Sequence, residues 1–94
     1  MIKIFRKENI IQISGHANFD DYGKDIVCAS VSSIVYTTIN GILNINDKAI
    51  SVIDKKDITI RILNDDDITN KLINNMFNLL EDLERQYPNN LKIK

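Results

Sequence analysis

The chain holds one histidine and one cysteine, and they lie twelve positions apart, at His16 and Cys28. A thiol becomes a strong nucleophile when a neighbouring base takes its proton, and imidazole is the usual base. The flanking residues read as a strand ending at His16 and a helix beginning just before Cys28. Such an arrangement brings an imidazole to a thiol at a helix N-terminus, where unpaired N–H groups and the helix dipole favour a thiolate. Taken singly, a buried cysteine is more often a small hydrophobe than a nucleophile, and an isolated histidine is more often incidental. The local context is what gives the pair weight.

Gly15, immediately before His16, permits a tight bend or the close approach of another segment at the strand end. Gly23 does the same where the chain enters the helix. Asp25 lies three residues before Cys28 and so shares its helical face. Two roles stay open for it. It orients His16 as the third member of a triad, or it caps the helix that carries Cys28. A bare carboxylate beside the thiol would oppose thiolate formation. Ser32, one turn after Cys28, either supports the thiol or back-bonds to a helical carbonyl. Residues 17–22 join base to nucleophile and carry Phe19 and Tyr22. They read as a substrate loop that closes over a peptide, or as a surface loop anchored by Phe19.

These residues need a frame. Ile2 and Ile4, then Ile11 and Ile13, alternate about Lys7-Glu8-Asn9, the pattern of a hairpin. Ile50 and Val52, then Ile58, Ile60 and Ile62, repeat it about the polar turn Asp54-Lys55-Lys56-Asp57. Residues 67–87 are predicted helical, with Ile68, Leu72, Met76, Leu79, Leu80, Leu83 and Tyr87 as the apolar stripe and Pro88 as the stop. Residues 24–42 are contested. Their Val, Ile and Thr content leans towards strand, whereas Val27, Val31, Ile34, Val35, Thr38 and Ile42 make one helical stripe. Nineteen residues exceed a strand of ordinary length, so a helix is predicted, with Gly41 helping to end it. Leu91-Lys92-Ile93 is a candidate edge strand. The order β-β-α-β-β-α implies an α+β two-layer sandwich, a mainly antiparallel sheet with both helices packed on one face. The strand order is left open.

Composition sets limits of its own. Ninety-four residues make one domain, spanning 1–94. A chain this size buries roughly 60–65% of the surface its unfolded form exposes, enough for one core without disulfides. One cysteine forms no internal disulfide, so a reducing cytoplasm is expected. No signal peptide is read at the start, and no apolar stretch is expected to approach the ~20 residues of a membrane span. Twelve basic residues stand against thirteen acidic, for a net charge of −1, without the basic stripe of a nucleic-acid binder. Asp65-Asp66-Asp67 would repel phosphate. Its plain reading is a helix cap rather than a metal site, since hard cations need more oxygen ligands at defined spacing.

The run Gly15-His16-Ala17, followed by Gly23, Asp25-Ile26-Val27-Cys28-Ala29, Val31 and Ser32, resembles the ribosomal-processing cysteine proteases of low-GC Gram-positive bacteria and their relatives. The opening Met1-Ile2-Lys3-Ile4 also looks like that family's first strand. The specific likeness covers residues 1–42; residues 43–94 agree only in length and element order. The resemblance implies a cysteine endopeptidase that removes an N-terminal extension from a large-subunit ribosomal protein. It further implies a homodimer with Cys28 and His16 as the reacting pair. No metal or organic cofactor is expected. Helix-first-turn N–H groups, that of Cys28 among them, are the expected oxyanion donors. The competing readings are a non-enzymatic ribosome-associated or dimerisation module of the same fold and, more weakly, a redox-sensing thiol.

Overall fold

The computed structural model describes residues 1–21 and 24–94. Ile-rich alternation folds as expected into β1 (Ile2–Lys7) and β2 (Ile10–Ser14), joined at Glu8 and Asn9. Glu8 adopts a left-handed φ of 55° to close the hairpin. The second hairpin comprises β3 (Ile50–Asp54) and β4 (Ile58–Ile62). Two helices, α1 (Ile26–Ile45) and α2 (Asp67–Gln86), follow the hairpins, and β5 (Leu91–Ile93) ends the described chain.

The five strands form one sheet in the order β3-β4-β2-β1-β5. Ile11 stands opposite Arg6 on one side and Ile60 on the other. β1 and β5 run parallel, with Ile2 beside Leu91, and the other pairings are antiparallel. The architecture is therefore the expected α+β sandwich, with a parallel edge supplied by the short tail.

The strand period of two sorts the side chains. Ile2, Ile4, Ile11, Ile13, Ile60 and Ile62 are all buried, while Lys3, Phe5, Gln12 and Arg61 between them are exposed. Both helices cover the Ile face and share one core with it. Arg6, at the end of that face, lies with its guanidinium 5.7 Å from the ring centre of Phe77 on α2.

Three expectations about the helices need correction. First, Gly41 does not end α1, which continues to Ile45 and stops at Asn46. Nothing lies within 4 Å of the place a Cβ on Gly41 would occupy, so it neither terminates the helix nor admits a close neighbour. Second, the buried stripe of α2 is Thr69, Ile73, Met76, Leu80 and Leu83. Ile68 and Leu79, expected inside, are 53% and 44% exposed. Two overlapping stripes satisfy three- and four-residue steps here, and docking against α1 and β5 selects the one carrying Ile73. Third, α1 contains no charged residue and is, by length and composition, apolar enough to cross a membrane. In this fold it is a core helix: Val27, Val31, Val35, Ile39 and Ile42 pack on the sheet, and Ser33, Thr37, Asn40 and Asn44 face outwards.

The acidic triplet is spent locally. Asp66 caps α2 by accepting from the Thr69 N–H at 2.7 Å, Asp65 accepts from the Asn70 amide at 2.7 Å, and Asp67 pairs with Lys71 at 3.1 Å.

Candidate active site

The strand-to-helix connection starts at Gly15. Its φ of +85° is left-handed, and a Cβ there would overlap the Met1 carbonyl oxygen. Only glycine meets both conditions without strain. The chain bends beneath Met1 and places His16 exposed and Ala17 buried. Asn18 follows with a second left-handed φ of 56°.

Cys28 sits in the first turn of α1, half-buried. Its Sγ accepts a hydrogen bond from the Ala17 N–H at 3.3 Å. Ala17 and His16 share a peptide bond, so the thiol is tied directly to the segment that carries His16. His16, Cys28, Asp25 and Ser32 line one cleft of about 540 Å³. Its apolar floor includes Ile2, Ile13, Val31 and Ile58, and its far wall is the turn of the second hairpin, Asp54, Lys55 and Lys56.

Asp25 is the N-cap of α1. Its Oδ1 accepts from the N–H groups of Val27 and Cys28, at 2.9 and 3.0 Å. Its Oδ2 accepts from Phe19 and Asp20, at 2.9 and 3.3 Å. Four backbone donors therefore converge on one carboxylate, and the His16 ring is not among its partners. Desolvation pushes the Asp25 carboxyl up, but the bonds from Cys28, Phe19, Asp20 and Val27 together outweigh it and hold the pKa below its ordinary value. The Cys28 N–H, expected as an oxyanion donor, is thus already committed to Asp25.

The remaining residues of interest separate. Ser32 is exposed on the cleft wall, and the back-bond expected of it is made instead by Ser30 to the Ile26 carbonyl at 2.7 Å. Phe19 turns away from the cleft and packs edge-on against Tyr87, with ring centres 5.2 Å apart. Tyr22 and Gly23 lie outside the described residues. Two contributors escaped sequence reasoning. The turn at residues 54–57 looked merely polar, yet it walls the cleft, braced by the Tyr36 hydroxyl donating to Asp54. That bond, with burial and the carboxylate's charge, raises the Tyr36 pKa. Asn90 is the other: its side-chain amide donates to the Ala17 carbonyl at 2.9 Å from 73 positions away. No local pattern marks it.

The profile of the family described as cysteine protease Prp matches residues 1–92. A ribosomal processing cysteine protease Prp of Bacillus subtilis is 41% identical over 32 residues, 34% of this chain and 29% of that protein. The Mycoplasma genitalium protein of the same name is 50% identical over 36 residues, 38% of this chain and 36% of the relative. These alignments thus span about a third of each curated relative's length. The structure of the Staphylococcus aureus processing protease Prp with a covalently linked product peptide superposes with a TM-score of 0.89 at 22% identity, covering 99% of this chain and 95% of that one. A match that runs from the first strand to the last, on a sheet of the same architecture, places this chain in the Prp cysteine protease family.

Proposed function

We propose that this chain is a cysteine endopeptidase that removes an N-terminal extension from a large-subunit ribosomal protein, acting through Cys28 and His16. The single observation that carries the reading is the placement of a half-buried thiol and an exposed imidazole on one peptide-sized cleft, held together through Ala17. His16 takes the thiol proton, and the thiolate attacks the scissile carbonyl. Protonated His16 then donates to the leaving amine, and water hydrolyses the thioester. Side chains and water supply every step. Asp25 serves this chemistry by fixing the helix end and the loop, the arrangement its four N–H partners support.

The occupant of the cleft is an extended peptide. Its apolar floor suits aliphatic or aromatic side chains, and a net charge of −1 does not suit a nucleic acid. The family relatives are named as ribosomal processing proteases. A one-domain unit over 1–94 in a reducing cytoplasm accords with the shared core and the single free thiol. A homodimer accords with the sheet face opposite the helices, where Phe5, Ile10 and Ile53 are 46%, 39% and 53% exposed.

The test is cleavage of a peptide spanning the N-terminal extension of the same organism's ribosomal protein, followed by mass spectrometry. Wild type releases a defined product, and Cys28→Ala releases none while keeping its circular dichroism spectrum. An uncut peptide that nevertheless binds would favour a non-enzymatic module. Light scattering that gives a monomer at every concentration would reject the dimer.

A further inference from the structure

We propose that Asn90 is a positioning residue of the site: it holds Ala17 so that the Ala17 N–H stays aimed at the Cys28 sulfur and His16 stays on the same cleft. The proposal rests on the protease reading for its purpose, though not for its geometry.

Ala17 is fixed at three points. The residue is 1% exposed. Its N–H donates to Cys28 Sγ at 3.3 Å, and its carbonyl accepts from Asn90 Nδ2 at 2.9 Å. Among the described residues, this N–H is the backbone donor given to the sulfur, the Cys28 N–H being held by Asp25. An N–H aimed at sulfur stabilises the thiolate before attack.

Asn90 is well placed to act on Ala17 without itself being movable. Its own N–H donates to the Tyr87 carbonyl at 3.0 Å, and its carbonyl accepts from the Ile2 N–H at 2.9 Å. The backbone is therefore anchored where α2 hands over to β5, against β1, and the side chain reaches back to the loop. Phe19 against Tyr87 and Asp25 against Phe19 and Asp20 hold later parts of that loop. Neither touches the Ala17 carbonyl. Changing the Asn90 side chain thus removes one bond to the site and leaves the backbone bonds of the junction in place.

Asn90→Ala deletes the donor, and Asn90→Asp keeps the size but faces the Ala17 carbonyl with an acceptor. Three readouts apply to the full chain: hydrogen exchange at the Ala17 amide, iodoacetamide alkylation of Cys28 per folded molecule at neutral pH, and peptide turnover. Exchange at Ala17 is expected to rise about five- to tenfold and alkylation to slow by a similar factor, the worth of roughly one hydrogen bond. Core amides such as Ile4 and Ile11 should keep their protection. With a cleavable peptide, kcat should fall while KM holds. Wild-type exchange and alkylation in both variants would overturn the proposal, as would a loss of melting temperature with no change at Ala17 or Cys28. If both readouts shift but wild type cuts no peptide, the positioning role stands and the protease reading falls.

Discussion

The Cys28 N–H donates to Asp25 Oδ1 at 3.0 Å, so the residue carrying the thiol gives its backbone to the carboxylate rather than to an incoming substrate. Val27 donates to the same oxygen at 2.9 Å, and the other oxygen holds Phe19 and Asp20. One side chain therefore stops the helix from fraying and fastens the loop that leads from His16.

Asp25→Asn should accordingly cost stability more than chemistry. An amide keeps one acceptor oxygen but sets its NH2 against the two backbone N–H groups that the other oxygen held. The melting temperature is expected to fall by several degrees, while turnover per folded molecule survives. The pH dependence follows from the depressed folded pKa of Asp25. Its contribution is full above the ordinary carboxylate value of about 3.9 and disappears as pH falls through the folded value. Thermal melts of both proteins should therefore diverge most from about pH 5 upward and converge in acid. A constant gap across that range would contradict the assignment.

His16→Ala should leave the fold almost untouched, because the imidazole is exposed. Turnover should drop by about 10²- to 10⁴-fold, the usual worth of a general acid–base group. Initial rates on the extension peptide, paired with thermal melts, check this. Near-wild-type turnover would remove His16 from the mechanism.

Gly15→Ala should instead damage the fold. The left-handed φ costs about 1–2 kcal/mol for any side chain, and the added methyl meets the Met1 carbonyl. Urea unfolding should show a loss of roughly 2 kcal/mol or more. Wild-type stability would mean that Met1 and Gly15 do not approach as described.

Gly41→Ala should stabilise the chain. The site is mid-helix with open space around it. Replacing glycine there is expected to add about 0.5–1 kcal/mol. A shift of the urea midpoint to higher concentration, with turnover unchanged, is the expected outcome; a shift to lower concentration would contradict an unobstructed Gly41.

The sequence made some of this legible and hid the rest for physical reasons. Alternating isoleucines identified both hairpins, because a strand with one wet face writes its period directly into the chain. α1 emerged from a stripe that outweighed its β-branched content. The inward face of α2 emerged only in part: Met76, Leu80 and Leu83 were placed inside, but Ile73 was missed, since Leu79 and Leu80 serve overlapping stripes equally until a neighbour chooses between them. Gly41 read as a stop because glycine lowers helix propensity wherever it stands. His16 and Cys28 stood out by rarity and spacing. Asn90 lies in a short run of ordinary turn residues, and its partner is 73 positions upstream, so no periodicity or motif announces the bond.

That separation has a kinetic meaning. The residues that would react lie close together in sequence, but their registry depends on a loop closure spanning nearly the whole chain. Such a closure is slow relative to a local hairpin and costs entropy before it returns contacts. A fragment ending after α1 would retain both reactive groups and lack the contact that fixes them. Competence at the thiol is therefore expected only once the whole chain has folded, Asn90 included.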